Sequence, residues 1–418
     1  MSDKFPGHSK VTINVARVIS IPTNKAVDIT RMITMLEVYG SVFDPTMVAV
    51  VHITDTTSIL YNLPIAGEEV LELEIQSDGT DRPFEKTFFV RKPDDLQFDP
   101  NGSVTTLTLH CVSIEHIRGM AKRVSKGVKE QISKTVENIL KDDIRTDGEV
   151  NVEESEGIET LVLPSLPCWD TIEMLRQRAV STKYKSPYLF FEDSKGFNFV
   201  TVEGLIEQRK KDKPPQTFTS EPYMPTAGDD PHKSSVMERQ KKNVENLVIL
   251  KKADTASFIG RGGAHNRVSV FDPLEKKLER IDTSYDKMKD EIVKQPLDDS
   301  FNPHRSARLL EIVSEPTIEY LVPFDAANKS SFMNNVGKRQ IFNRHFGDTQ
   351  LAFTMYSDTT LEPGDVLRLE IPLTTGSPEE DPQLTGNYMV TSFVHRIKDD
   401  QMFTDVEVYR FGFGQGVF

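Results

Sequence analysis

Cysteine is almost absent from this chain, whose 418 residues include only Cys111 and Cys168. A two-cysteine chain of this length does not depend on a disulfide framework, and it holds no Cys-x-x-Cys pair of the kind that binds zinc. We expect both thiols to be buried as small apolar side chains.

Long apolar runs are absent as well. The longest wholly apolar stretch, residues 47–51, is far shorter than the roughly 20 residues that cross a bilayer. Residues 1–10 are polar and carry no apolar core followed by a cleavage site, so no signal peptide is predicted. We therefore expect synthesis in a cytoplasm and no stable membrane insertion.

Basic residues are outnumbered by acidic ones, 50 Lys+Arg against 64 Asp+Glu, which gives a formal net charge of -14. Residues 1–112 hold 9 Lys+Arg against 15 Asp+Glu, a net of -6. A surface with this charge repels the phosphates of nucleic acids. The composition therefore excludes proteins whose main task is to grip DNA or RNA.

Catalytic motifs are missing too. No Gly-x-Ser-x-Gly elbow is present, and the nine histidines show no metal-ligand spacing. The glycine-rich segment 260–265 lacks the Lys-Ser or Lys-Thr pair of a phosphate loop and precedes a strand, so we interpret it as a surface loop. We predict a protein that is not an enzyme and uses no metal or cofactor.

Strand patterns fill the first quarter of the chain. β-Branched and aromatic residues recur in six short segments separated by turn residues. The segments are residues 11–15, 32–38, 48–53, 70–75, 84–90 and 104–112. Six short strands predict a small barrel or sandwich over residues 1–112.

The spacing of apolar residues changes after Cys111, from the period of a strand to that of a helix. Two helical stretches are followed by a third helix, which we expect Asp170 to cap while Glu173 reaches back to it. A hairpin with strands 188–191 and 197–200 comes next. These patterns predict an α/β domain over residues 113–206.

The rest of the chain is again mostly strand. Residues 207–242 are predicted to form a linker or long loop. Residues 243–418 are predicted to form a second β domain with an insertion around 252–310 and one helix over 331–346. The predicted strands are residues 246–251, 267–271, 317–322, 351–356, 366–371, 388–395 and 403–411.

One short strand motif occurs twice, as Val-Leu-Glu-Leu-Glu-Ile at residues 70–75 and Val-Leu-Arg-Leu-Glu-Ile at residues 366–371. A turn containing glycine and acidic residues precedes each copy. The repeat suggests a duplicated domain, although any half-buried strand can show this alternation.

Several segments together resemble the baseplate hub proteins of contractile-tailed bacteriophages, which are related to the hub part of type VI secretion spikes. The residues that carry the resemblance are 36–45 (LEVYGSVFDP), 63–69 (LPIAGEE), 177–199 (from QRA to GFNF), 363–372 and 386–390 (GNYMV). Residues 207–310 have no counterpart in the resemblance. The chain also ends without the β-helical needle that often follows the hub in secretion spikes.

The resemblance implies a mainly β fold with an α/β insertion: two related tube-type antiparallel β-barrel domains plus a small α/β domain. It further implies a structural virion protein, a homotrimeric ring in the tail baseplate. The ring would join the tail tube, or a tube-initiator protein, to a central spike on a separate chain. Neighbouring baseplate proteins would surround it, and DNA would pass through it without specific binding.

Under this interpretation, Glu68, Glu69, Glu72 and Glu74 are candidates to face the channel, where like charge would keep DNA from adhering. The alternative function is a tail-associated cell-wall hydrolase, which would need a pocket with a perturbed carboxylate or a metal. A third possibility is an adaptor that is not part of a virion.

Overall fold

The computed structural model describes residues 10–56, 65, 67–77, 82–98, 104–220, 241–252, 265–272, 277–284, 308–312, 335–343, 346–356, 358–373 and 379–410. Three predicted features lie outside these residues. They are the strand at 317–322, the first five residues (260–264) of the glycine-rich segment, and residues 221–240 of the predicted linker.

Among its described residues the first β half has seven strands, and they coincide with all six predicted segments. They are β1 (Val11–Ser20), β2 (Lys25–Asp28), β3 (Ile33–Ser41), β4 (Val48–Asp55), β5 (Glu69–Ser77), β6 (Phe84–Phe98) and β7 (Thr105–Ser113). In β5, Leu71, Leu73 and Ile75 are buried, whereas Glu72 and Glu74 on the opposite face are partly exposed. This alternation places one face of the strand on a core.

An α/β domain follows, and its first helix starts at Ile114. Its helices are α1 (Ile114–Ala121), α2 (Ile132–Asn138), α3 (Cys168–Arg178) and α4 (Val202–Asp212), with a π-helical turn (Ile139–Ile144) after α2. Its strands are β8 (Arg123–Val124), β9 (Gly127–Glu130), β10 (Glu149–Val152), β11 (Glu159–Val162), β12 (Leu166–Pro167), β13 (Tyr188–Glu192) and β14 (Gly196–Thr201). β13 and β14 form the predicted hairpin, and β10 pairs in parallel with β14.

Aromatic side chains fill the core of this domain. The ring of Trp169 lies 5.9 Å from Phe190 and 5.8 Å from Phe197, measured between centroids. Tyr188 stacks on Phe199 at 4.6 Å. These contacts fix α3 on the hairpin.

The predicted cap of α3 is wrong. The helix begins at Cys168, Pro167 occupies the cap position, and no side chain caps it. Cys168 and Trp169 are both buried, and their burial draws them into the first turn ahead of Asp170. Glu173 forms an ion pair with the following turn and does not reach back.

The second β half contains most of the remaining elements. They are β15 (Gln216–Thr219), β16 (Val244–Lys251), β17 (His265–Asp272), β18 (Lys277–Ser284), β19 (Arg308–Ile312), β20 (Thr349–Tyr356), β21 (Val366–Glu370), β22 (Gly386–Lys398) and β23 (Gln401–Arg410), with helix α5 over residues 335–343. β17, β18 and β19 form a separate three-stranded sheet at the predicted insertion.

The interval predicted as a linker, 207–242, carries regular structure at its start. α4 continues to Asp212, and β15 pairs in parallel with β21. Phe218 in β15 is buried in the main core, which gives this short strand a reason to form. Polar residues and prolines surround this single apolar position, so the sequence pattern did not predict a strand there.

Strands of both halves belong to one 13-stranded sheet. Along the sheet the first half runs β2-β1-β5-β6-β7-β4-β3, and the second half runs β15-β21-β22-β23-β20-β16. The two halves have the same order if β2 and the separate sheet β17–β19 are left out. When the six remaining strands of each half are numbered along the chain, both halves have the sheet order 1-4-5-6-3-2. The two copies of the repeated motif, β5 and β21, hold the same place in this order.

The predicted mainly β fold is present, but the prediction of two related tube-type antiparallel β-barrel domains needs correction in two respects. β3 of the first half pairs with β22 of the second, so the halves share a sheet. β15 runs parallel to β21, because α4 ends only three residues earlier and fixes the direction in which the chain enters. Among the described strands no ladder closes a ring, although a single bridge between Thr219 and Asn243 links β15 to the start of β16.

Three large hydrophobic clusters hold the described residues together, and a fourth, small one surrounds Val268. The largest contains buried residues of both β halves, the second lies within the α/β domain, and the third joins α4 and β13 to β21, β22 and α5. Cys111 and Cys168 are buried, as predicted, and burial raises the pKa of the Cys111 thiol to about 12. Of the helices that the structure describes, none has the length and apolarity needed to cross a bilayer.

Candidate functional site

The junction between β3 and β22 joins the two β halves into one sheet. The two strands are antiparallel, with Glu37 opposite Arg396 and Val38 opposite His395. Val38 is fully buried, and His395 is 2% exposed. The junction therefore has a dry face that continues the common core.

A glycine makes the close approach at this junction possible. Gly40 lies opposite Phe393. A Cβ added at Gly40 would lie 2.7 Å from two ring carbons of Phe393, closer than carbon atoms can pack. The ring of Phe393 thus uses the space that a side chain would occupy.

The opposite face of the junction is polar. Arg396 Nε donates to Glu37 Oε1 at 2.9 Å, and the Tyr39 hydroxyl donates to Glu37 Oε2 at 2.6 Å. Arg396 also forms an ion pair with Asp405 of β23, whose Oδ1 accepts a 2.7 Å bond from Thr354 of β20. One network of polar side chains therefore crosses four strands from both halves.

His395 is neutral in this setting. Its ring is buried, and Nδ1 lies 2.9 Å from Thr404 Oγ1. Burial lowers the pKa of His395 to about 4. A ring that stays neutral and faces the core has a packing role.

The predicted channel acids divide into two groups. Glu72 and Glu74 point to the same face of β5, where Glu72 lies 3.6 Å from Arg17 and Glu74 accepts a 2.8 Å bond from Asn14. Glu85 of β6 stands directly opposite Glu74. This face therefore carries three carboxylates beside one guanidinium, in agreement with an acidic surface.

Glu69 behaves differently from the other candidates. It is 2% exposed, and its Oε2 accepts the backbone N–H groups of Gly67 and Glu68 at 2.9 and 3.0 Å. Gly67 has a φ of +94°, which suits glycine in this turn. Glu69 thus stabilises the turn before β5, while Glu68 itself is exposed.

Buried charge joins the α/β domain to the first β half. Lys86 Nζ of β6 lies 2.6 Å from Glu192 Oε1. Glu192 Oε2 accepts the Met47 N–H at 2.8 Å and the Ser113 hydroxyl. Burial raises the pKa of Glu192, and these three contacts hold its charge in place.

A second buried cluster joins the α/β domain to the second β half. Arg209 of α4 binds Asp193 at 2.6 Å, and Lys213 lies 3.4 Å from Asp365. Glu362 accepts both the N–H and the hydroxyl of Ser194 in the turn of the β13–β14 hairpin. Burial, with the charge of Asp193, raises the pKa of Glu362 to about 7.

Sequence reasoning missed both clusters. Glu192 ends the apolar run of β13, and Asp365 belongs to the glycine-acid turn before β21, so each looks like an ordinary surface residue beside a strand. The only local indication of a buried charge was the position of Glu192 at the end of an apolar hairpin strand. Their partners lie on segments distant in sequence, as with Lys86 and Glu192.

In the ranges given above, no group of three or more His, Cys, Asp or Glu side chains is arranged to hold a metal ion. The site is therefore an arrangement of strand edges, a polar sheet face and buried ion pairs.

Neither a protein-family model nor a curated protein sequence matches this chain. Solved structures do match it in fold. The tail protein from Neisseria meningitidis MC58 aligns with a TM-score of 0.56 at 10% identity, covering 97% of this chain and 98% of that one. The 43 kDa tail protein of prophage MuSo2 from Shewanella oneidensis aligns with a TM-score of 0.54 at 9% identity, covering 95% and 98%.

A chain of the Francisella PdpA–VgrG complex also has this fold. The TM-score is 0.53 at 11% identity, and the match covers 96% of this chain but 52% of that one. This chain therefore spans about half of that longer protein. The resemblance to phage tail proteins is thus confirmed at the level of the fold, over nearly the whole chain.

Proposed function

We propose that this chain is a structural protein of a phage-type tail, in which three copies form a ring at the centre of the baseplate. The ring joins the tail tube above to a separate spike protein below and leaves a channel for DNA. Each chain contributes two related barrel-like β units, and neighbouring baseplate proteins contact the outside. The protein acts by holding and releasing partners and performs no bond chemistry.

The observation that carries the proposal is the repeated strand order of the two β halves. Two units with the same order, joined edge to edge by β3 and β22, let three chains present six similar units around an axis. Such a ring matches a sixfold tube on one side and a threefold spike on the other. The fold shared with two tail proteins, one of them from a prophage, over at least 95% of this chain supports the same function.

The acidic face of β5 and β6 supports a channel. Glu72, Glu74 and Glu85 lie together on it, and their charge would keep passing DNA from adhering. The exposed Glu68 at the start of β5 extends the same charge. Glu69, which caps its own turn, contributes to the shape of that edge.

Negative-stain electron microscopy of the purified full chain tests the proposal. We expect threefold rings with an open centre and a mass of about 142 kDa, three times 47.3 kDa. If only single chains are seen, the experiment is repeated with a candidate spike protein added. Single chains in both samples would reject the ring.

A further inference from the structure

The two β halves correspond in strand order, and one irregularity of their ladders coincides. The ladder between β6 and β7 shifts register between Val90 and Lys92, and the ladder between β22 and β23 shifts between Val390 and Ser392. β6 is therefore the counterpart of β22. By the same comparison of order, β16 is the counterpart of β3.

By this correspondence two junctions are possible, β3 with β22 and β16 with β6. Within one chain the described strands form only the first of them. β3 pairs with β22, but within the described part of the chain no strand pairs with β6 beyond Lys92 on the side away from β7, or with the outer edge of β16. A free strand edge is a template for another strand.

The free edges expose apolar residues at the positions that the internal junction buries. Register places Ile249 of β16 where Val38 stands in β3; Val38 is fully buried, whereas Ile249 is 46% exposed. The bulge of β6 between Asp94 and Gln97 occupies the position that His395 occupies in β22, and Leu96 lies in this bulge. His395 is 2% exposed, whereas Leu96 is 55% exposed. The two exposed residues are thus counterparts of a buried pair.

Charge at the free edges is complementary. Asp94 of β6 corresponds to Val394, and Lys251 of β16 corresponds to Tyr39, which is the partner of Val394 at the internal junction. A contact of the same register would place a carboxylate opposite an ammonium group. Within one chain Asp94 instead pairs with Lys92.

We infer that β6 of one copy pairs in antiparallel fashion with β16 of the next copy, in the register of the internal β3–β22 junction. The inference rests on the proposed ring and names its contact. Because the two edges are different surfaces of the chain, the contact is head-to-tail, and three such contacts would close the proposed ring. Pro93, the counterpart of Phe393, has no N–H, so this ladder has one donor fewer than the internal one.

Disulfide trapping between chains tests the contact. Two chains of distinguishable mass are co-expressed, one carrying Leu96→Cys and the other Ile249→Cys, and the purified complex is oxidised. Opposed residues in an antiparallel pair lie about 4.5–5.5 Å apart between Cα atoms, within the range of a disulfide. We expect a covalent dimer of unlike chains; the native thiols are buried and do not compete.

The matched control pairs Met120→Cys with Val162→Cys, because Met120 and Val162 are 58% and 48% exposed and lie away from both edges. Rings that form without the Leu96–Ile249 crosslink, or with equal crosslinking of the control, would overturn the contact and leave the ring standing. Absence of any oligomer would overturn the proposed ring together with the contact.

A charge swap provides an independent measurement. Asp94→Lys and Lys251→Asp are each expected to raise the concentration needed for ring formation about 5-fold, and together to restore it. Lys251 also donates to the Gly347 carbonyl, so restoration by the second substitution is the decisive result. A double variant no better than the single ones would contradict the predicted register.

Discussion

Lys86 neutralises a carboxylate that has almost no access to water, since the Glu192 side chain is 1% exposed. Replacing Lys86 with Met keeps most of the apolar stem and leaves the charge of Glu192 unpaired. We expect the free energy of unfolding to fall by about 3–5 kcal/mol. Chemical denaturation followed by the fluorescence of Trp169, the single tryptophan, measures the loss in the adjoining α/β domain.

Lys92→Met is the control for this variant. Lys92 pairs with Asp94, but both side chains are about half exposed, and exposed pairs contribute only about 0–1 kcal/mol. An equal loss for the two variants would show that burial does not set the strength of the Lys86–Glu192 pair.

Glu362 makes stability depend on pH. Its pKa is raised from 4.5 to about 7 by burial and by the charge of Asp193. The folded chain therefore binds more protons than the unfolded chain between these values, and this contribution to stability is lost as pH rises from about 4.5 to about 7. Glu362→Gln should reduce the drop in Tm between pH 5 and pH 8 in scanning calorimetry.

The exposed Glu154 serves as the comparison for the pH experiment. Glu154→Gln should leave the Tm difference between pH 5 and pH 8 as it is in the unaltered chain. A Glu362→Gln profile that is parallel to the unaltered one would exclude Glu362 as a source of the pH dependence. Glu192 and Asp365, whose pKa values burial also raises, would then account for the slope.

At the scale of elements, the β3–β22 junction depends on a missing side chain. Gly40→Ala places a methyl group 2.7 Å from the Phe393 ring, and overpacking of this kind costs about 1–3 kcal/mol. Gly40→Ala with Phe393→Leu should recover part of the loss, measured as Tm. Gly127→Ala is the control, because no atom lies within 4 Å of its added Cβ.

Most strands were predictable because alternation is a local property. β5 and β21 each show it within six residues, and their shared place in the two halves agrees with the repeated motif. The start of α3 was not predictable from Asp170, because the burial of Cys168 and Trp169 decides it and burial depends on distant segments. β15 was not predicted, because Phe218 is its only large apolar residue and one residue does not make an alternating pattern.

The site was less predictable than the fold. The acidity of the β5 surface followed from composition and alternation, so Glu72 and Glu74 were found on one face. The β3–β22 junction was not found, because a pattern identifies a strand without identifying its neighbour. The same holds for Lys86 and Glu192, whose pairing exists only once two domains have packed.

At the scale of the whole molecule, the acidic face gives a prediction about DNA passage. Replacing Glu72 and Glu74 with Lys should slow ejection of DNA from assembled particles while ring assembly stays intact, because positive charge would attract phosphates. Ejection is measured in real time with a DNA-binding dye. The slowing should grow as the salt concentration falls.

Asp142 and Glu154 are exposed acids on the α/β domain and provide the matched reversal. The same two-charge change there should leave the ejection rate unaltered. Equal slowing by both pairs would indicate an effect of net charge, and no slowing by either would argue against a channel lined by the β5 face.

The common core predicts joint unfolding of the two β halves. Buried residues of both halves belong to one cluster, and the β3–β22 ladder ties their sheets together. Calorimetry of the full chain should show one heat-absorption peak for both halves. Gly40→Ala, which weakens the ladder, should broaden or split that peak, whereas Gly127→Ala should not.

The β3–β22 junction also means that β3 must wait for its partner strand during protein synthesis. Glu37 and Arg396 are 359 residues apart along the chain, so at about 5–20 residues per second β3 leaves the ribosome roughly 20–70 s before its partner exists. During that interval the edge that later receives β22 is open to other nascent chains on the same message. Its correct mate lies on the β22–β23 hairpin, which is made long after β3, and chaperones that shield the early half would decide how many chains reach it.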